Sequence, residues 1–156
     1  MNSLKPSSDG LFLYKLHGSI ESDIIPPTWN KILHEEIKSD WEGAFNALSK
    51  ANHIRILGYS LPSTDSYLKY LFKSAISKND FLKSIDVICL DPTNTVEARY
   101  REFINFPKLN FTNTNLTKYL ECFLSNLERD SFHNLVGKGY KNLNYAEGAH
   151  QKFLRS

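Results

Sequence analysis

The sequence predicts an α/β protein with a Rossmann-like parallel sheet of about four strands and helices on both faces. Three observations carry this. Short apolar runs rich in Ile, Val and Leu recur along the chain, the composition of buried strands. Between them lie segments whose apolar residues fall three or four apart, the period of a helix with one buried face. The two kinds alternate, and connections that hold helices suit parallel strands joined by right-handed crossovers. A strand–helix unit takes about 30 residues, so 156 residues accommodate four of them.

The first expected strand is LFLYKLH, Leu11–His17, aliphatic with a single charge. After the helix-breaking Pro26-Pro27 comes an amphipathic piece, WNKILHEEIK. A second helix follows in DWEGAFNALSKA, where Trp41, Phe45, Leu48 and Ala51 share a face and Asp40 takes the N-cap position. HIRILGY, His53–Tyr59, is the next strand. STDSYLKYLFKSAIS then sets Tyr67, Leu68, Leu71, Phe72, Ala75 and Ile76 on a broad apolar face behind a Ser/Thr/Asp cap. IDVICL, Ile85–Leu90, leads into TVEARYREFI, whose face is Val96, Tyr100, Phe103 and Ile104. LNFTNT, Leu109–Thr114, is the last strand, carrying β-forming Phe and Thr, and LTKYLECFLSNL closes the series with Leu116, Leu120, Phe123, Leu124 and Leu127. From Arg129 onward Gly137, Gly139 and Gly148 interrupt the pattern. Residues 1–128 thus read as the domain. Residues 129–156 read as a polar, loosely attached tail with a short helix near Tyr145–Leu154.

Composition excludes several classes of function. Nineteen Lys and Arg against seventeen Asp and Glu leave a net charge of +2, mixed along the chain, without the basic stripe that a nucleic-acid surface needs. No apolar run approaches the roughly 18 residues of a membrane span, and the start, MNSLKPSSDG, has no apolar h-region. Cys89 and Cys122 sit inside apolar patterns with no C-x-x-C pair, which reads as two buried thiols rather than a zinc ribbon or redox dithiol. His34, His53, His133 and His150 lack metal-ligand spacing. The expectation is a cytoplasmic protein without a metal.

In an open parallel sheet, ligands bind outside the carboxyl ends of the strands. The residues there are His17-Gly18-Ser19, Gly58-Tyr59-Ser60-Leu61-Pro62 and Asp91-Pro92-Thr93-Asn94-Thr95. Gly58 allows close backbone approach, and Ser60 offers a hydroxyl to a phosphate or ribose ahead of a helix N-terminus. A carboxylate ending a strand, as Asp91 does, suits a ribose diol. His17 stands where a strand meets a cleft, and imidazole titrates near working pH. Each has a plainer reading. A histidine at a strand end is more often a hydrogen-bonded structural residue, Gly-Tyr-Ser before a helix is usually a turn and cap, and Asp-Pro opens ordinary turns.

The combination is more specific than its parts. Lys15-Leu16-His17-Gly18-Ser19 resembles the His-Gly signature of the sirtuin-like (silent information regulator) family. Leu57-Gly58-Tyr59-Ser60-Leu61 resembles that family's Gly-Thr-Ser motif, with Tyr59 for the middle Thr, and Asp91 stands where sirtuins carry the Asn of an Ile-Asn pair. Gly58-Tyr-Ser-Leu-Pro-Ser-Thr-Asp65, Ile25-Pro26-Pro27-Thr28 and Trp41-x-x-Ala44-x-x-x-Leu48 are similar to segments of bacterial sirtuin-like domains found in antiviral defence proteins that degrade NAD. The resemblance covers roughly residues 10–127. It implies that His17 is the catalytic histidine beside the nicotinamide ribose. Gly18, Ser19, Gly58, Tyr59, Ser60, Leu61 and Asp91 would then contact the nucleotide. The four-cysteine zinc module of classical sirtuins has no counterpart between the two motifs, so deacetylation is not expected.

Sirtuin-like domains also place a Gly-Ala-Gly-type phosphate loop and a catalytic Asn element before the His-Gly strand. Only ten residues precede Leu11 here, and Asn2 and Asp9-Gly10 supply neither. The resemblance therefore implies the C-terminal half of an incomplete sirtuin-like domain. Two expectations follow. In the first, the chain is an NAD glycohydrolase-type enzyme in bacterial antiviral defence, binding NAD poorly until an upstream half or partner chain completes it. In the second, it is a non-catalytic remnant or interaction module with a weak nucleotide pocket. Both imply a homo-oligomer or a partner chain, because a half-sheet exposes a strand edge.

Overall fold

The computed structural model describes residues 12–17, 35–132 and 141–155. Helix α1 spans Glu35–Leu48, followed by β1 (His53–Leu57), α2 (Ser66–Ser77), β2 (Ser84–Cys89), α3 (Thr95–Phe103), β3 (Leu109–Asn113), α4 (Leu116–Phe132) and α5 (Lys141–Leu154). The three strands form one parallel sheet in the order β1-β2-β3. Ile54 pairs with Ile85 and Ile56 with Val87, while Ile85 pairs with Leu109 and Val87 with Phe111.

Register assigns the faces, because side chains alternate along a strand and partners in register share a side. Ile54, Ile56, Ile85, Val87, Cys89 and Leu109 point to one side. There they pack against Phe72 of α2 and Val96 and Tyr100 of α3. Both crossover helices therefore cover the same face, and Leu48 at the end of α1 and Ala51 just after it join them. The other face is covered by α4 and α5, where Ile88 meets Tyr119 and Phe153. The α/β class, the parallel sheet and the helices on both faces are as the sequence predicts. Among the described residues the strands number three.

The missing strand is the expected first one. Residues 12–17 take no strand pairing, and their polar backbone groups turn to α1 instead. Lys15 N–H donates to Asp40 Oδ2 at 3.1 Å and Trp41 Nε1–H donates to the Leu16 carbonyl at 3.1 Å. The Tyr14 ring lies against Gly43, where an added Cβ would come within 2.2 Å of Tyr14 Cε1. Phe12 and Leu13 are exposed, so this aliphatic run is not a core strand. Asp40 is likewise not an N-cap: α1 runs through it from Glu35 as one helix. Leu11 and Pro26-Pro27 lie outside the described residues.

The C-terminal segment also departs from the expectation of a loose tail. Over the described part, α5 buries Ala149, His150 and Phe153, and Phe153 meets the Tyr119 ring edge-on at 4.8 Å. Its seat is polar as well as apolar. Asp86 on β2 is 1% exposed and accepts from Asn110 Nδ2 at 2.7 Å and Ser84 Oγ at 2.9 Å. His150 places Nε2 3.4 Å from Asp86 Oδ2 and Nδ1 3.0 Å from the Tyr119 hydroxyl. Arg55 of β1 pairs with Glu147 of α5.

Candidate functional site

The carboxyl edge of the sheet is built by the β1–α2 loop, the β2–α3 turn and the end of β3. Gly58 leaves β1 with φ +67, a left-handed conformation that only glycine adopts without cost. Its N–H donates to the Ile88 carbonyl at 2.8 Å, which ties the loop to the central strand. A Cβ here would lie 3.1 Å from Leu116 Cδ2.

The next residues are pinned from α3. Tyr100 donates its hydroxyl to the Tyr59 carbonyl at 2.8 Å, and Arg99 Nη1 donates to the Leu61 carbonyl at 3.4 Å. Leu61 also takes a left-handed φ, +51, at a cost of about 1–2 kcal/mol for a non-glycine residue. Complete burial of its side chain in the first apolar cluster offsets that strain. Leu61 is thus an anchor that fixes the loop, and its side chain is not presented to a ligand. Ser60 is exposed beside it.

The loop ends at Asp65, the N-cap of α2. Asp65 Oδ1 accepts from the Leu68 N–H at 3.2 Å, and Oδ2 accepts from the Tyr59 hydroxyl at 2.9 Å. His17 Nε2 lies 3.6 Å from that same Oδ2, with the imidazole 46% exposed and the carboxylate buried. Burial pushes the Tyr59 hydroxyl well above the usual phenol range, and the hydrogen bond to Asp65 and its charge push it further. Tyr59 therefore stays a neutral donor at working pH. Three residues from two distant segments meet here: His17, Tyr59 and Asp65.

Asp91 has a different role from the expected one. It is 1% exposed, and its carboxylate accepts the Thr95 N–H at 3.0 Å through Oδ1 and the Val96 and Glu97 N–H groups at 3.0 and 2.8 Å through Oδ2. Burial alone would raise this carboxyl, yet those donors outweigh it and lower the pKa. The first turn of α3 thus occupies Asp91, where the sequence had offered it to a ribose diol; its turn-opening reading fits. Asn94 precedes α3 with φ 58 and no side-chain cap bond, so Asp91 serves in its place. Asn113 closes the same corner: its Nδ2 donates to the Asp91 carbonyl at 2.6 Å and its Oδ1 accepts from the Asp91 N–H at 2.8 Å.

Of the sequence-selected residues, His17, Gly58, Tyr59 and Ser60 belong to one edge, while Leu61 and Asp91 hold it together from inside. Gly18 and Ser19 lie outside the described residues. The sequence places Asp65 in a cap and at the end of the resemblance motif without a role in the site, places Tyr100 on an apolar helix face, where it is buried, and gives Asn113 no role. The Asp that closes Gly58-Tyr-Ser-Leu-Pro-Ser-Thr-Asp65 was the available signal.

Two hollows lie elsewhere, neither reaching His17. One of about 240 Å³ is lined by Leu61, Lys69, Lys73, Arg99, Glu102 and Phe103. The other, of about 530 Å³, runs between α1 and α2 along Trp41, Phe45, Tyr67 and Tyr70. Among the described residues no three His, Cys, Asp or Glu side chains come together as a metal site would require, and no helix is long and apolar enough to cross a membrane. Leu57 and Leu90, at the ends of β1 and β2, are exposed. Compared with known proteins, the chain matches no family model, no curated protein and no solved structure.

Proposed function

We propose that the chain is a sirtuin-like NAD-processing unit that cleaves the nicotinamide N-glycosidic bond when an upstream half or a partner chain supplies the phosphate-binding loop. The observation that supports this most is the meeting of His17 with Tyr59 and Asp65 at the carboxyl edge of a parallel sheet. That edge is where α/β sheets bind nucleotides. In this reading the bond from the ribose anomeric carbon to the nicotinamide nitrogen breaks and its electron pair leaves with nicotinamide. Water adds to the oxocarbenium-like centre, and a proton is released as ADP-ribose forms. His17 accepts that proton or orients the attacking oxygen. Gly58 and Ser60 are exposed residues of the same β1–α2 loop that carries Tyr59 and Asp65. Antiviral defence by NAD depletion is the setting the resemblance suggests.

A second reading, an interaction module without turnover, is favoured by the internal use of Asp91 and by exposed Leu57 and Leu90 along the same edge. A proton NMR time course of NAD separates the two. It is run with the purified chain and with whatever assembly the chain forms in its native host, each beside His17→Ala. Free nicotinamide from the wild type and not from His17→Ala supports cleavage. Broadened NAD signals without nicotinamide favour the module, and unchanged NAD in every sample would refute both the enzyme and the nucleotide pocket.

A further inference from the structure

We infer that Asp65 is the positioning residue for His17, holding the imidazole at the sheet edge and favouring its protonated form. This rests on the reading of His17 as the group that acts on the substrate. The carboxylate does more than cap α2. Capping uses one acceptor, and Oδ1 fills that need with the Leu68 N–H; serine, threonine or asparagine would do as well. Oδ2 is turned the other way, toward the Tyr59 hydroxyl and His17 Nε2.

The second oxygen is therefore aimed. Tyr59 fixes its direction by donating to it, and the Tyr59 backbone is fixed in turn by the Tyr100 hydroxyl. Fully buried Leu61 anchors the stretch between Tyr59 and Asp65. The negative charge that reaches His17 thus comes from a buried group with a set orientation, while the imidazole keeps nearly half its surface open to an incoming ligand. An opposite charge within about 4 Å favours the charged form of a titrating group, and a buried source is screened less than a surface one. The two residues lie far apart in the sequence, so neither motif alone reveals the pair.

Asp65→Asn tests this, because asparagine keeps the cap and removes the charge. The His17 ring signal, assigned by its loss in His17→Gln, is titrated by two-dimensional NMR in the wild type, Asp65→Asn and Tyr59→Phe. The His17 midpoint is expected to fall by about one pH unit in Asp65→Asn and by less in Tyr59→Phe. A purely capping role would lower the melting temperature and leave the midpoint where it was, and that result overturns the inference. Should Asp65→Asn fail to fold, Asp65→Ser, which also keeps a capping oxygen and removes the charge, reads the same His17 midpoint, and an unchanged midpoint again overturns the inference.

Nicotinamide release by the assembled protein is measured in parallel. Asp65→Asn is expected to lower kcat about tenfold with little change in KM, and to move the pH profile with the His17 midpoint. Full activity in Asp65→Asn would overturn the inference while leaving the catalytic reading of His17 intact. No nicotinamide from any form would overturn that catalytic reading, and the midpoint alone would then decide whether Asp65 governs His17.

Discussion

Replacing Asp86 by asparagine changes one oxygen to an amide in the seat of α5, with almost no change of shape. In the wild type that carboxylate is 1% exposed, accepts from Asn110 and Ser84, and faces His150 Nε2 at 3.4 Å. Burial alone would raise its pKa, yet His150, Asn110 and Ser84 together bring it down to about 2 from an ordinary value of 3.8. A depression of this size corresponds to on the order of 2 kcal/mol before solvent screening is allowed for, and nearer 1 after it. Asparagine also turns an N–H₂ toward one of the two donors, leaving a buried donor without its acceptor at about 1–3 kcal/mol. The expected loss is therefore about 2–4 kcal/mol. For a chain of this length that lowers the melting temperature by about 4–16 °C.

The pH dependence carries the sharper test. A carboxyl whose folded pKa lies below its unfolded one contributes stability above the unfolded value, and loses it as pH falls through the folded value. The stability gap between wild type and Asp86→Asn, read from urea unfolding, should stay open at about pH 5. It should narrow from about pH 4 downward as the carboxylate is protonated in both states. A gap of less than about 0.5 kcal/mol at pH 7 would refute the reasoning. So would one that had already closed by pH 5.

Three further outcomes are expected. Phe153→Ala removes a buried ring packed on Tyr119 and should cost about 3–4 kcal/mol in chemical unfolding; a neutral result would mean that α5 is not part of the folded unit. Gly58→Ala forces a Cβ onto a φ of +67 and within 3.1 Å of Leu116 Cδ2, so a loss of about 1–2 kcal/mol is expected by thermal unfolding. Asp91→Ala should lower the urea midpoint, because three N–H groups of α3 lose their acceptor. Asp91→Asn should recover part of that loss, whereas equal losses would speak against the capping role.

The three observed strands were legible because each is a short apolar run closed by a polar or glycine residue, and their residues bury on both faces only in a covered sheet. Leu11–His17 has the same composition, but composition cannot say where a segment's backbone hydrogen bonds go. In its described part the Lys15 N–H and the Leu16 carbonyl go to Asp40 and Trp41 on α1, and the apolar side chains of Phe12 and Leu13 stay outside. The C-terminal helix was legible near Tyr145–Leu154, but its attachment to the sheet was obscured for the opposite reason. The sheet face beneath it carries Arg55, Asp86 and Asn110, so the helix that covers it must bring Glu147 and His150 as well as Phe153. Hydrophobic periodicity counts such residues as solvent-facing and cannot register a face matched by charge.

The same limit shaped the reading of the site. Residues at strand ends were easy to nominate, since the fold class locates the edge where ligands bind. Whether a nominated carboxylate faces outward or back into its own helix depends on the turn that follows. Asp91 precedes a left-handed Asn94, and the chain curls so that the first N–H groups of α3 return to it. Asp65 precedes α2 with φ −88 and ψ 67, and one N–H bond satisfies its capping role, leaving the second oxygen for Tyr59 and His17. Two aspartates that each open a helix thus end in different roles, one consumed by the first turn of its own helix and one shared with the edge. The difference lies in backbone angles that neither residue's identity encodes. It directs the search for function away from Asp91 and toward the pair formed by His17 and Asp65.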